Sequence, residues 1–442
     1  MATLKLREKG MSREELMSKM RDFRVEDKDW KGARAFSLVY YAEEEITEML
    51  KEAYGMFFSE NALNPMAFPS LKNFEAEVIA MTADLLGGGP DAVGNMTSGG
   101  TESIILGVAA ARERARAEKP HITEPEMALP VTAHASFWKA AHYLDVKVVS
   151  VPFGSDYRTD VEAARAAVND NTILMVGSAP CYPYGVIDPI PDLAAIALER
   201  NINFHVDSCL GGFMLPFLKR LGHDIPPFDF GVPGVTSISA DIHKYGYSAK
   251  GASTITYRDS NYRKHQFFVH TDWPGGIYAS PTMTGTRPGG GIAAAWAAMN
   301  YLGAHGYERL ASTAMETAKK LMDGINSIPG LAVMGEPDMS VFAFDSDAVN
   351  TYMLGDALEE RGWHIDRLQS PPALHLIVMP SHATIVDTFI DDLSKATAQL
   401  AAQGKTEATG MAAMYGMIGT MPDRDAANDI VLSYLDDLFK YK

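Results

Sequence analysis

From Leu71 onward the chain alternates two hydrophobic rhythms. Stretches with apolar residues three and four apart, the spacing of a helix face, are separated by short apolar runs. The runs Val131–Ala133, Lys147–Val151, Thr172–Gly177, Asn203–Val206, Ser237–Ala240 and Ser253–Tyr257 predict strands. Helices between such strands imply a mostly parallel sheet covered on both faces. Before this region, residues 1–60 read mainly helical, with Glu43–Phe58 the best amphipathic stretch, followed by the turn-rich Asn64-Pro65-Met66-Ala67-Phe68-Pro69-Ser70. After an apolar helix over Ala293–Gly303 the rhythm changes. Strands are expected at Leu331–Met334, Val341–Asp345 and Leu374–Met379, with helices at Val349–Arg361 and Thr384–Gln403. The tail from Met411 to Lys442 ends in a helix near Ala426–Phe439, and its methionines (Met411, Met414, Met417, Met421) read as packing residues. The expected division is an N-terminal helical segment over 1–65, a large α/β domain over 66–305 and a smaller α+β domain over 306–442. No repeat or low-complexity segment interrupts this plan.

Composition narrows the class. The chain has 442 residues, 47% of them hydrophobic, which suits a large domain with a smaller one. No apolar run is long enough to span a bilayer, so no stable membrane anchor is expected, and the charged N-terminus lacks a signal-peptide core. The net charge of -17 argues against nucleic acid and gives no attraction to anionic membranes. Two cysteines, Cys181 and Cys209, exclude a disulfide framework and suit a reducing, cytoplasmic setting.

Four segments carry candidate chemistry. In Ser239-Ala240-Asp241-Ile242-His243-Lys244, a lysine directly after a histidine and behind a short run of small and apolar residues suits an amine that forms an imine with the aldehyde of pyridoxal phosphate. Its pKa is expected to be depressed by burial and nearby charge. Thr97-Ser98-Gly99-Gly100-Thr101-Glu102-Ser103 opens a helix. Small residues there let the backbone approach an anion, Ser98 and Thr101 add hydroxyls, and Ser98 reads as an N-cap. His134 ends an apolar run and offers a flat ring for stacking. Asp207 ends the buried run Asn203–Val206, where a carboxylate can pair with a pyridinium nitrogen. Each segment has an ordinary structural explanation alone: a capped turn, a packed histidine, a strand-end aspartate, a surface lysine. Together they supply a phosphate cup, a stacking ring, a pyridinium partner and an imine lysine in a workable order. No metal site is expected.

These segments, with Ser178-Ala179-Pro180, Pro183-Tyr184-Gly185, Cys209-Leu210-Gly211-Gly212-Phe213, Trp273-Pro274-Gly275-Gly276-Ile277-Tyr278 and Arg287-Pro288-Gly289-Gly290, resemble the sphingosine-1-phosphate lyase family, related to the glutamate decarboxylases. The resemblance runs from about residue 36 to the C-terminus. It implies a fold-type I, aspartate-aminotransferase-like architecture, pyridoxal 5'-phosphate as cofactor, and a homodimer with shared active sites. The implied reaction is retro-aldol cleavage of a lipid-like phosphoamine to an aldehyde and phosphoethanolamine. It assigns Lys244, Tyr40, Tyr182 and Lys250 to catalysis, with Tyr40 entering from the neighbouring subunit. Ser98, Gly100, Thr101, His134, Asp207, His243, Lys244 and Thr286 fall to the cofactor, and Asn64, Lys250 and Thr286 to the substrate headgroup. Thr286, in a turn that reaches the partner's site, stands where the family has serine. The histidine that follows the family's Asn-Pro element is absent after Asn64-Pro65. A different β-hydroxy amine therefore stays open as substrate, as do amino-acid decarboxylation and a catalytically silent binding role.

Overall fold

In the computed structural model, which describes residues 4–404 and 408–441, seven strands form one sheet. They are Val93–Thr97 (β1), Glu126–Pro130 (β2), Lys147–Val151 (β3), Thr172–Ser178 (β4), Asn203–Asp207 (β5), Ser237–Ala240 (β6) and Ser253–Tyr257 (β7), in the order β1-β7-β6-β5-β4-β2-β3. Neighbours from β3 to β6 pair in parallel, and β7 runs against both β6 and β1. Strands covered on both faces need no polar alternation. Accordingly every residue of β2, β4, β5, β6 and β7 is buried. Even His205 in mid-β5 is wholly enclosed. Burial lowers its pKa to about 4, and its ring nitrogens meet Ser237 and Ser239 of the next strand.

A hairpin, Phe268–His270 (β8) with Tyr278–Ser280 (β9), projects beyond this sheet. A second, antiparallel sheet follows: Leu331–Val333 (β10), Val341–Ser346 (β11), Asp366–Gln369 (β12) and Pro372–Ile377 (β13), in the order β10-β11-β13-β12. Its own core gathers Phe342, Phe344, Trp363, Leu374, Phe389 and Leu393. Phe36 from the N-terminal segment lies in that core, stacked on His382 at 4.4 Å between ring centroids. The backbone holds it there: Phe36 N–H donates to His364 O, and Ile377 N–H donates to Phe36 O.

Three expectations need correction. The helix begun near Ala293 runs from Gly289 to Asn326 through a kink at Gly303 (φ 54°), where a left-handed backbone lets one helix feed the next without a loop. The strand placed at Val131–Ala133 is β2, five residues earlier, and 131–135 is the turn that follows it. The N-terminal region is helical only over Arg13–Phe23 and Glu44–Met56, because residues 34–37 pair with the second sheet instead. Residues 1–3 and Lys442, read as parts of the terminal segments, lie outside the described residues. Among the described residues no helix is long and apolar enough to cross a membrane.

Candidate active site

The carboxyl ends of β1, β4, β5 and β6 open onto one cavity of about 420 Å³, the place where open α/β sheets bind ligands. Its lining includes Ser98, Gly100, Thr101, His134, Tyr182, Asp207, Asp241, His243 and Lys244. The four segments singled out from the sequence therefore meet in one place.

Asp207 ends β5, and the hydrogen bonds it accepts at its carboxylate, from Cys209 N–H at 3.0 Å and Ser239 Oγ at 3.3 Å, both go to Oδ1. Among the described residues Oδ2 has no hydrogen-bond partner, and Asp207 lines the cavity. Lys244 lies in the turn after β6, where its Nζ sits 2.9 Å from Asp241 Oδ2. Asp241 is 1% exposed and is fixed from behind by Ser253 Oγ, which donates to Oδ1 at 2.5 Å. This overturns the expected depression of the lysine. Burial does push its pKa down, but the Asp241 charge, with Asp207 beyond it, more than offsets that and holds Lys244 above the ordinary lysine value. Sequence reading gave Asp241 no role. The available signal was its spacing of three from Lys244.

His134 hangs over the cavity from the turn after β2. Its Nδ1 accepts Ser136 N–H at 3.2 Å and meets Ser136 Oγ at 2.8 Å, and Ser136 Oγ in turn meets Thr101 Oγ1 at 2.9 Å. Burial lowers its pKa against the opposing pull of Asp207, so the ring is neutral and flat-faced. His243 is likewise lowered by burial, and its Nδ1 accepts Ala252 N–H.

The helix Gly100–Glu118 begins at the cavity with Gly99, not Ser98, as its N-cap. Ser98 does not cap it because Glu102 reaches back and accepts both its N–H (2.7 Å) and its Oγ–H (2.6 Å). The other Glu102 oxygen accepts Met283 N–H, tying this loop to the segment that carries Thr286. At Gly100 a Cβ would stand 2.8 Å from both Cys209 Sγ and Asp241 Oδ2, so only glycine lets the helix start this close to the lysine.

Tyr182 lines the cavity from the loop after β4. Its hydroxyl donates to Asp366 Oδ2 of β12 at 2.9 Å, and its ring meets His134 edge-on at 6.1 Å. Tyr40, expected from a neighbouring subunit, packs against Tyr245 and Lys250 of its own chain. With residues 34–37 pinned to the second sheet, its ring lies 5.2 Å from Tyr245 and under the ammonium of Lys250, at 4.9 Å. Lys250 is solvent-accessible, but its Nζ also donates to His243 O at 3.0 Å. Burial of the amine, then the Lys244 charge, lowers its pKa to about 8. Asn64 and Thr286 do not join the cavity. Asn64 Oδ1 accepts Met66 N–H in its own turn, and Thr286 Oγ1 accepts from Asn61. Both side chains are exposed.

A ring-sized cavity with a neutral imidazole, a carboxylate with one free oxygen, an enclosed lysine and a helix start stripped of its Cβ fits pyridoxal phosphate. Comparison with known proteins agrees. Residues 5–346 match the pyridoxal-dependent decarboxylase conserved domain. The chain is 44% identical to sphingosine-1-phosphate lyase of Arabidopsis thaliana, over 96% of this chain and 79% of that one. It is 42% identical to sphingosine-1-phosphate lyase 1 of Rattus norvegicus, over 97% and 76%. The structure of the Burkholderia pseudomallei sphingosine-1-phosphate lyase superposes with a TM-score of 0.91 at 40% identity, covering 100% of this chain and 98% of the other. Identity at this level over nearly the whole length, on a fold whose sheet ends gather the cofactor chemistry, means that the chain belongs to the sphingosine-1-phosphate lyase family of pyridoxal phosphate-dependent enzymes.

Proposed function

We propose that this protein cleaves the Cα–Cβ bond of a phosphorylated β-hydroxy amine like sphingosine-1-phosphate, releasing a long-chain aldehyde and phosphoethanolamine. The observation that carries the reading is the convergence of Lys244, Asp207 and His134 on one cavity in a chain so similar to these lyases. Bound pyridoxal phosphate supplies an electron sink for the pair left at Cα when that bond breaks. Lys244 would bond the cofactor aldehyde, His134 would offer its ring for stacking, and Asp207 would supply the carboxylate for the ring nitrogen. The start of the helix Gly100–Glu118, with Thr101, would hold the phosphate, with Ser98 and His243 near by. Asp241 holds the Lys244 proton until the amine is needed neutral. Tyr40, Tyr182 and Lys250 stand at the reacting end, where the β-hydroxyl must give up its proton.

We infer a homodimer as the working form. Its support is the exposed rim: Asn64 and Thr286 lie outside their own cavity, and the neighbouring Phe268, Val269, Trp273, Ile277 and Met283 expose large apolar surfaces to water. Surfaces of this kind mark contacts, and a partner loop across the rim would bring Asn64 and Thr286 to the headgroup. Two free, buried cysteines support a cytoplasmic location.

The test is product analysis by mass spectrometry, with the purified protein loaded with pyridoxal phosphate and given sphingosine-1-phosphate. Long-chain aldehyde with phosphoethanolamine is expected. Carbon dioxide from amino acids, without aldehyde, would replace the lyase reading by a decarboxylase one.

A further inference from the structure

Tyr182 is gripped by two residues of the second sheet that face each other across it. Asp366 of β12 pairs in register with His375 of β13. His375 Nε2 lies 2.7 Å from Tyr182 O, and since a carbonyl only accepts, the ring donates there. The two rings lie 4.3 Å apart at 32°. Asp366 takes the other end of the same residue, accepting the phenol O–H at 2.9 Å. Its second oxygen accepts Ser37 Oγ–H at 3.2 Å, three residues before Tyr40. Asp366 thus joins the loop after β4, the second sheet and the segment that delivers Tyr40.

This arrangement fixes the direction of a hydrogen bond. A phenol has one proton to donate. With that proton committed to Asp366, the Tyr182 oxygen can offer the cavity only lone pairs. We propose that Asp366 is a positioning residue that makes Tyr182 an acceptor for the substrate's β-hydroxyl proton, with His375 fixing the tyrosine backbone. The inference rests on the lyase reading above. As the β-hydroxyl becomes a carbonyl, its proton passes to the Tyr182 oxygen and the phenol proton passes to Asp366 Oδ2. The electron pair of the breaking Cα–Cβ bond leaves toward Cα. Tyr182 needs no phenolate of its own, which agrees with burial and the Asp366 charge raising its pKa. His375 stays out of the transfer, because burial keeps it neutral with a pKa near 4.

The charged and titratable groups around the pair are Lys244, His134 and Tyr415 on the Tyr182 side, and His364 (3.8 Å from Asp366 Oδ1), His375 and Tyr40 on the Asp366 side. Two readouts on the cofactor-loaded protein separate this role from a scaffold role. In the first, Asp366→Asn keeps the shape and removes the charge. It should lower kcat ~10- to 100-fold, part of what a general base contributes, with KM almost unchanged, and should add no further loss in a Tyr182→Phe background. Additive losses would overturn the proposal. The second readout needs no turnover. A multiply fluorinated tyrosine at position 182 is titrated by 19F NMR, and Asp366→Asn should lower its ionisation midpoint by ~1 pH unit. An unmoved midpoint would overturn the pairing whatever the substrate proves to be. Absence of cleavage by the unaltered enzyme, with the midpoint shifted, would instead remove the lyase reading.

Discussion

At the floor of the cavity, Asp207, Asp241 and Lys244 hang from the adjacent strands β5 and β6. Their partners come from the sheet and the turn after β5: Ser239, Ser253 and the Cys209 N–H. At the rim, Asn64 and Thr286 sit in exposed loops, and their polar groups go to Met66 N–H and Asn61. The floor is complete within one chain, down to a buried carboxylate behind the lysine. The rim has the residue types for a headgroup and no pocket in which they meet. Buried polar groups must be satisfied by their own fold, so a floor of this kind is preorganised. Exposed ones can wait for a partner. The contrast supports the proposal that cofactor chemistry belongs to the single chain and headgroup recognition to an assembly.

The sharpest way to break that division is at the floor. Lys244→Ala should abolish the absorbance of the lysine-bound cofactor and lower turnover by more than about a thousandfold, the scale on which loss of a covalent catalyst acts. Substantial turnover in this variant would move the chemistry elsewhere. Next in size is Asp241→Asn. Without the carboxylate at 2.9 Å, burial acts on Lys244 against only the weaker pull of Asp207, so its pKa should fall. The pH midpoint for borohydride trapping of cofactor on Lys244 should then drop by ~1–3 units, the range for loss of an adjacent opposite charge. An unchanged midpoint would mean that the ion pair does not persist once the cofactor is bound.

What the sequence discloses follows the same line. The floor was legible because its residues are local to motifs. Asp207 ends an apolar run, His134 follows one, and Lys244 sits in a recognisable turn. The parallel sheet was legible for a related reason: strands buried on both faces read as short apolar runs between amphipathic helices. β1 escaped because Val93-Gly94-Asn95-Met96-Thr97 has little apolar continuity, and its place depends on antiparallel pairing with β7, some 160 residues away in sequence. Ser98 read as an N-cap because local spacing cannot show that Glu102 would claim both its N–H and its hydroxyl. The packing of Tyr40 beside Lys250 was not legible, because its position depends on Phe36 docking on the second sheet. Asp366 carries no signal of its own, since its partner Tyr182 comes from the other sheet's loops. Contacts made across the fold are set by tertiary packing, to which local pattern is blind.

The smallest expected effect bears on the boundary between floor and rim, where Lys250 stands. It belongs to the chain that builds the floor, it touches Tyr40, and it carries the charge a phosphate would seek. Burial of the amine and the Lys244 charge put its pKa at about 8, so its ammonium is present below that pH and is lost as pH rises through it. If Lys250 holds the headgroup, KM for a phosphorylated substrate should rise across this window. KM for the unphosphorylated amine should stay flat. Lys250→Arg, whose guanidinium does not titrate here, should flatten the rise. Lys250→Ala should raise KM roughly tenfold at pH 7, the worth of one charge-assisted hydrogen bond, and remove the pH step. A step that survives in Lys250→Arg belongs to another group. The headgroup would then be held from the rim alone, and the division between one chain's floor and a shared rim would be stricter than Lys250 now suggests.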